Sequence, residues 1–182
     1  MRRSKFIEIK NLLRILPFLF ALQAGEARAQ GAPSIELNLL WLVPPFRTYE
    51  ARLGLEWNPR YEVSVGYARQ AWTYEGSSLA QGKIRSDALI VGLRYRLPET
   101  GFFVDFSTWF MADKFTFLSG VVKHGPAISH EVFAGWAFAW GAWSLSPGLN
   151  VGFYSYRPYV EPLDDRLKFT WVPKISGRYT FR

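Results

Sequence analysis

The sequence predicts an all-β protein: an eight-stranded antiparallel up-and-down transmembrane β-barrel, preceded by a cleaved signal peptide. Three observations lead to this fold class. The N-terminal residues follow the basic, apolar and small-residue order of a secretion signal. The rest of the chain alternates apolar and polar residues with a period of two, segment after segment. The connections between these segments alternate between short turns and longer loops, which is typical of up-and-down transmembrane β-barrels.

The first predicted element is the signal peptide, residues 1–29, with the barrel in residues 30–182. A basic start containing Arg2 and Arg3 precedes a short apolar run at 15–22, and small residues lead up to Ala29. The apolar run is shorter than the about 20 residues that a membrane-spanning helix needs, so a helical anchor is the weaker interpretation. Removal of this segment leaves 16 basic and 13 acidic residues, a net charge of +3.

Composition then excludes several functional classes. The chain has no cysteine, which excludes a disulfide framework and a thiolate metal site. Its two histidines, His124 and His130, are not accompanied by a cluster of metal-binding side chains, so we expect neither a metal nor a cofactor. The charges are spread singly along the segments, which argues against nucleic-acid binding. All eight Trp follow residue 40, and such aromatic enrichment is typical of membrane interfaces.

Eight alternating segments are predicted to be strands. In the second, Tyr49 and Leu53 lie on one face, whereas Glu50 and Arg52 lie on the other. Each segment reaches the about 9–11 residues with which a tilted strand crosses a bilayer. The predicted strands are Ser34–Val43, Arg47–Trp57, Arg60–Tyr74, Lys83–Leu97, Phe102–Ala112, Ser129–Trp140, Trp143–Arg157 and Arg166–Phe181.

The predicted connections differ between the two rims of the barrel. Short turns are predicted at 58–59, 98–101 and 141–142. On the other rim we predict a tight first link at 44–46, long loops at 75–82 and 113–128, and an intermediate loop at 158–165. Outer-membrane barrels have short turns on the periplasmic side and longer loops on the cell surface, so the second rim is predicted to be extracellular.

The apolar face of each strand is predicted to contact lipid. Small residues such as Gly54 and Gly92 lie on the polar face beside long charged side chains, as the narrow interior of an eight-stranded barrel requires. Aromatic residues lie on the apolar face at the short-turn rim, where a membrane girdle is expected. They are Trp57, Phe102, Trp140, Trp143, Tyr179 and Phe181. The alternative is a soluble secreted barrel with its apolar face around a ligand.

The chain ends with the sequence RLKFTWVPKISGRYTFR, whose alternation runs up to Tyr179 and Phe181. This terminal strand resembles that of bacterial outer-membrane β-barrels, in which the assembly machinery reads a terminal aromatic residue. The whole mature chain is similar in architecture to the small eight-stranded class typified by the OmpA transmembrane domain and OmpX. The resemblance implies a location in the cell outer membrane of a Gram-negative-type envelope, with lipid, lipopolysaccharide and the assembly machinery as partners. It leaves the oligomeric state open.

Charged side chains on the polar faces are predicted to meet in the lumen. The predicted lumen network consists of Glu50, Arg52, Glu56, Glu62, Arg94, Asp105, Glu131, Lys168, Lys174 and Arg178. Buried charges persist when they are paired and hydrogen-bonded, so a closed plug of ion pairs is the favoured interpretation. The alternative is a narrow pore whose solute selectivity these charges set.

The triplet Ser129-His130-Glu131 gives the weak catalytic candidates. Neighbouring side chains point to opposite faces of a strand, so these three residues do not form a catalytic triad by themselves. We predict that His130 lies on the lipid face near the long-loop rim. The stretch is loosely similar to lipid A deacylases and acyltransferases of the same fold, which makes a lipid A-modifying enzyme the alternative function. The favoured function is non-enzymatic, in envelope integrity or in surface interaction through extracellular loops.

Overall fold

The computed structural model describes residues 31–39, 47–74, 82–156 and 169–181. The chain divides into two units, Met1–Gly31 and Ala32–Arg182, and only Gly31 of the first is described. The signal-peptide prediction therefore lies outside the described residues and stays a prediction. Within the described ranges, no helix has the length and apolar character needed to cross a membrane.

Regular structure in the described residues consists of β-strands. They are β1 (Pro33–Asn38), β2 (Arg47–Asn58), β3 (Tyr61–Tyr74), β4 (Gly82–Arg96), β5 (Phe102–Phe117), β6 (Val122–Trp136), β7 (Phe138–Trp140), β8 (Trp143–Tyr156) and β9 (Phe169–Thr180). Neighbouring strands pair in the order β6-β5-β4-β3-β2-β1-β9-β8-β7, and an additional β6–β8 pairing closes the sheet into a ring. The predicted all-β antiparallel barrel is confirmed.

The strands are staggered around the barrel. Ser34 on β1 pairs with Thr180 on β9. When the directly paired residues are followed from Ser34 around the barrel in the other direction, through β2 to β8, the path reaches β9 at Thr170. The two ends of the path are ten residues apart on β9 (180 − 170). Such a stagger accompanies the tilt of the strands against the barrel axis that closure of a narrow barrel requires.

β6 and β7 together occupy one strand position in the barrel. Both pair with β8, and the pair Phe138–Leu145 continues the register of the pair Gly135–Gly148. The break falls opposite Pro147, which has no N–H to donate to the ladder. The nine strands therefore make eight barrel positions, as the sequence predicts.

The fifth connection differs from the prediction. Residues 113–128 are predicted to be a long loop, but β5 continues to Phe117 and β6 begins at Val122. The fifteen pairs of this ladder form a long hairpin. The prediction is wrong because outward side chains such as Lys114 and Thr116 are polar here, so the amphipathic pattern ends before the strand does. The predicted links at 44–46 and 158–165, the end of the first predicted strand and most of 75–82 lie outside the described residues.

The two faces of the barrel have the orientation that the sequence predicts. Leu53 and Val91 point outward and are 43% and 49% exposed, whereas Glu50 and Arg94 point inward and are 5% and 4% exposed. A soluble barrel that holds an apolar ligand requires the reverse arrangement and does not fit. The outward apolar face is what a lipid-facing strand needs.

Aromatic side chains form a girdle at the short-turn rim. Trp57, Trp140 and Trp143 are each more than half exposed on the outer face. The Trp143 and Tyr179 rings are 4.8 Å apart between centroids, and Tyr179 is 5.0 Å from Phe181. Amphipathic rings at this level mark the membrane–water interface.

Candidate functional site

Arg94 forms the centre of a buried ion-pair network in the lumen. Its Nη1 and Nη2 donate to the two oxygens of Glu36 at 2.6 and 2.9 Å, and its Nε donates to Asp105 Oδ2 at 3.1 Å. The guanidinium also lies 4.4 Å from the centre of the Phe103 ring. Two-pronged pairing of arginine with a carboxylate is among the strongest hydrogen-bonding arrangements, so Arg94 fixes β1, β4 and β5 to one another.

The network continues from Asp105 towards β9. Arg52 donates to the other Asp105 oxygen at 3.0 Å and, through Nε, to Glu50 at 2.6 Å. Lys174 Nζ lies 2.9 Å from both Glu50 oxygens. All these side chains are at least nine-tenths buried. An unbroken chain of alternating charges therefore crosses the lumen and links five strands.

A second group of charges lies nearer the short-turn rim. Arg96 and Arg178 both contact Glu62. The same two arginines reach Glu56 Oε1 at 2.5 and 3.3 Å. Beside this group a vestibule of about 390 Å³ opens at the rim. Two acids and two bases neutralise each other at its base.

Glu131 is a lumen carboxylate that is hydrogen-bonded to an amide. It is 8% exposed and accepts a hydrogen bond of 3.0 Å from Asn150 Nδ2. Within the described ranges Glu131 has no ion-pair partner. Lys168 lies outside the described residues. The structure thus places nine of the ten predicted network residues in the lumen and brings eight of them together in ion pairs.

An apolar layer, which the sequence did not reveal, fills the lumen on the other side of the ion network. Its members are Ala68, Ala88, Ile90, Trp109, Met111 and Ala127. Trp109 is fully buried, and its indole N–H donates to Ser107 Oγ at 3.3 Å. Trp109 and Met111 lie an even number of positions from Asp105 on β5, so their side chains point to the same face as Asp105. This spacing was the available signal for their inward direction.

Small residues on the inner face leave room for the long charged side chains. A Cβ added to Gly92 would lie 2.6 Å from Ser64 Oγ and 3.2 Å from the Arg52 guanidinium. These separations are shorter than ordinary van der Waals contacts, so a larger residue at position 92 would displace the network. The lumen is therefore closely packed at this level, as expected for an eight-stranded barrel.

The triplet Ser129-His130-Glu131 is divided between the two faces of β6. Ser129 and Glu131 face the lumen and are buried, whereas His130 is half-buried on the outer face. The His130 ring lies between Phe106 and Phe153, with centroids 6.0 and 5.2 Å away, and its Nδ1 is 3.1 Å from Thr108 Oγ1. His130 lies near the middle of β6, so the prediction that it lies near the long-loop rim is wrong.

The comparisons with known proteins concern the fold. No protein-family model matches the chain, and no curated protein matches its sequence. Neisserial surface protein A is 12% identical with a TM-score of 0.51, and the match covers 83% of this chain and 95% of that one. The N-terminal β-barrel domain of Pseudomonas aeruginosa OprF is 14% identical with a TM-score of 0.49, covering 84% and 98%. Acinetobacter baumannii CarO is 12% identical with a TM-score of 0.47, again covering 84% and 98%.

At these identities the likeness bears on the fold alone. The closed ring of strands, the apolar outer band and the aromatic girdle agree with it, and they agree with the predicted location in the outer membrane. The chain has the fold of the small eight-stranded outer-membrane β-barrels.

Proposed function

We propose that the protein is a non-enzymatic outer-membrane barrel with a closed lumen, which acts in envelope integrity or surface interaction through its outer face and its surface hairpins. The observation that carries this proposal is the filling of the lumen. The chain of ion pairs around Arg94 crosses the barrel, and the apolar layer around Trp109 lies directly beyond it. Stacked layers of packed side chains leave no path for a hydrated solute, which argues against the narrow-pore alternative.

A conductance measurement tests the closed lumen. We expect the purified barrel to give no steady current steps in a planar lipid bilayer, because the Arg94 and Trp109 layers block its axis. A porin inserted under the same conditions serves as the control for detection. Stable single-channel steps that grow with salt concentration would contradict the proposal. The intact mass of the same preparation is expected to be that of a chain that begins at Gln30. This measurement checks the proposed removal of residues 1–29.

The position of His130 argues against the lipid A-modifying alternative. Nucleophilic catalysis needs a base within reach of an activated nucleophile and, commonly, a third group that orients the base. The neighbours of the His130 ring are the Thr108 hydroxyl and two phenylalanine rings. Glu131 and Ser129 point into the lumen from the same strand. This arrangement stabilises a polar ring in lipid and, among the residues that the structure describes, supplies no carboxylate.

Replacing His130 with alanine is expected to leave lipid A chemistry unchanged. Mass spectra of lipid A from cells that produce the wild-type barrel, the His130→Ala variant or neither protein should coincide. Immunoblots of the membrane fraction verify equal amounts of the two barrels. An acyl-chain mass difference that accompanies the wild type and disappears in His130→Ala would establish the enzymatic alternative instead.

The β5–β6 hairpin supports a role in surface interaction. Its strands continue beyond the lipid-facing band, and its tip presents Leu118 and Val121, which are 75% and 55% exposed. Apolar side chains at an exposed tip are suited to contact with another surface. The proposed recognition of Tyr179 and Phe181 by the assembly machinery stays a prediction, and the contact between their rings is compatible with it.

A further inference from the structure

We infer that the outer face of the barrel binds the phosphate groups of lipid A through a basic patch on β3–β6, at the rim opposite the short turns. The patch consists of Arg69, Lys83, Arg85, Lys114 and His124. This inference deepens the proposed function and rests on its placement in the outer membrane. It names a binding partner for the outer face of the barrel, and the lumen takes no part in this binding.

Strand register brings these side chains together. Arg85 on β4 pairs directly with Lys114 on β5, and Lys114 pairs with His124 on β6. Arg69 lies one outward position closer to the lipid band than the Arg85–Lys114 pair, and Lys83 lies one outward position further from the band than that pair. All five side chains are exposed on the outer face. Directly opposed residues have Cβ atoms about 4.5–5.5 Å apart, so one phosphate group can contact Arg85 and Lys114 together.

The patch has more positive charge than its surroundings neutralise. Asp87 is its one acidic neighbour on the outer face of the described strands, and Asp87 already contacts the Tyr67 hydroxyl and lies 3.8 Å from Arg69 Nε. Within the described ranges Lys83, Arg85 and Lys114 have no ion-pair partner. Two like charges directly opposite each other destabilise a sheet. A bound anion between Arg85 and Lys114 removes this repulsion.

The patch begins where the apolar band ends. On β5 the outward residues from Phe102 to Ala112 are apolar apart from Thr108, a span of about the 9–11 residues that cross the hydrocarbon layer, and Lys114 follows. On β4 the boundary between apolar and charged outward residues falls between Leu89 and Asp87. This is one row of paired outward residues closer to the short-turn rim than on β5, as the tilt of the strands requires. The basic side chains therefore lie at headgroup level.

The leaflet at this rim identifies the phosphate source. Short turns mark the periplasmic side, so the patch lies in the outer leaflet, where lipid A supplies the phosphates. The outward side chains described at comparable height on β1 and β2, Leu37 and Tyr49, carry no charge. Lipid A phosphates should therefore gather at the patch, because clusters of basic residues attract anionic headgroups.

The test is a titration of the detergent-purified barrel with diphosphorylated lipid A, in which retained lipid is counted by mass spectrometry. We expect Arg85→Glu and Lys114→Glu each to weaken binding about fivefold or more. The matched control is Arg60→Glu, because Arg60 is an exposed arginine at the short-turn rim. Arg60→Glu is expected to bind as the wild type does. Heat-modifiable gel mobility verifies that each variant is folded.

Two further lipids show whether the bound phosphate groups belong to lipid A or to another lipid. Dephosphorylated lipid A is expected to bind weakly and equally to the wild type and the variants, and phosphatidylglycerol is expected to bind less tightly than lipid A. Equal losses in Arg85→Glu and Arg60→Glu, or no loss in Arg85→Glu, would overturn the patch. Phosphatidylglycerol that binds as tightly as lipid A would overturn the choice of lipid A. Neither result affects the closed lumen, which the conductance measurement tests separately.

Discussion

Replacing Arg94 with methionine is expected to lower the free energy of unfolding by about 3–5 kcal/mol, the usual effect of breaking a buried ion pair. Methionine leaves Glu36 without the two hydrogen bonds that it accepts from Arg94, and Asp105 keeps only its contacts with Arg52. Both carboxylates remain at least nine-tenths buried, so water does not replace the lost partner. Urea unfolding of the barrel in lipid vesicles, followed by tryptophan fluorescence, measures the loss.

Arg69→Met is the matched control for Arg94→Met. Arg69 also faces an aspartate, but the side chains of Arg69 and Asp87 are 60% and 49% exposed. Exposed pairs contribute about 0–1 kcal/mol, so this variant should unfold near the wild-type urea concentration. If Arg94→Met does not fold, Arg94→Lys keeps the charge without the planar fork and should show an intermediate loss. Equal stability of Arg94→Met and Arg69→Met would contradict the importance of the network.

Introducing arginine at Val91 is expected to cost about 2–4 kcal/mol, the value for a charged side chain on the lipid face near the bilayer midplane. Val91 is 49% exposed and points outward between Leu89 and Leu93, midway along the apolar part of β4. In water, an arginine on such an exposed strand position would have little effect. The same urea unfolding in vesicles therefore measures whether this face contacts lipid.

Leu97→Arg supplies the depth control for Val91→Arg. Leu97 lies on the outer face of the same chain segment at the short-turn rim and is 39% exposed. An arginine at the interface costs about 0–1 kcal/mol, because its side chain reaches the headgroups. A large difference between positions 91 and 97 is expected. Equal effects at the two positions would show that Val91 does not lie in the hydrocarbon layer.

The fold was predictable wherever the two faces of a strand differ in polarity. Glu50 and Leu53, or Val91 and Arg94, lie an odd number of positions apart, so the alternation alone places them on opposite faces. The pairing of Arg94 with Glu36 was beyond prediction, because it depends on the stagger between strands that are distant in sequence. Alternation determines the direction of a side chain, but it does not determine the partner that the side chain meets.

Prediction failed where the polarity pattern ended or was hidden. In β5, Phe110 faces outward whereas Trp109 and Met111 face inward, so polarity does not distinguish the two faces there, and only the spacing from Asp105 indicates the inward direction. Beyond this point the pattern reverses: Phe115 is buried inside, whereas Lys114 is exposed outside. Strands that continue past the membrane lose the lipid-facing pattern, and the sequence then resembles a loop. For the same reason, Lys114 and His124 of the basic patch fall in a predicted loop, whereas Arg69, Lys83 and Arg85 fall in predicted strands.

The lumen network also constrains the order of events during membrane insertion. Lys174 on β9 meets Glu50 on β2 across 124 positions of sequence, and Arg178 meets Glu62 across 116. A partly inserted sheet without its final strand would leave Glu50 with Arg52 and Glu62 with Arg96, each without its β9 cation, and would open both pairs to the bilayer. Such half-built species are high in free energy. The first and last strands should therefore meet as the chain crosses the membrane, which makes closure and penetration one concerted step.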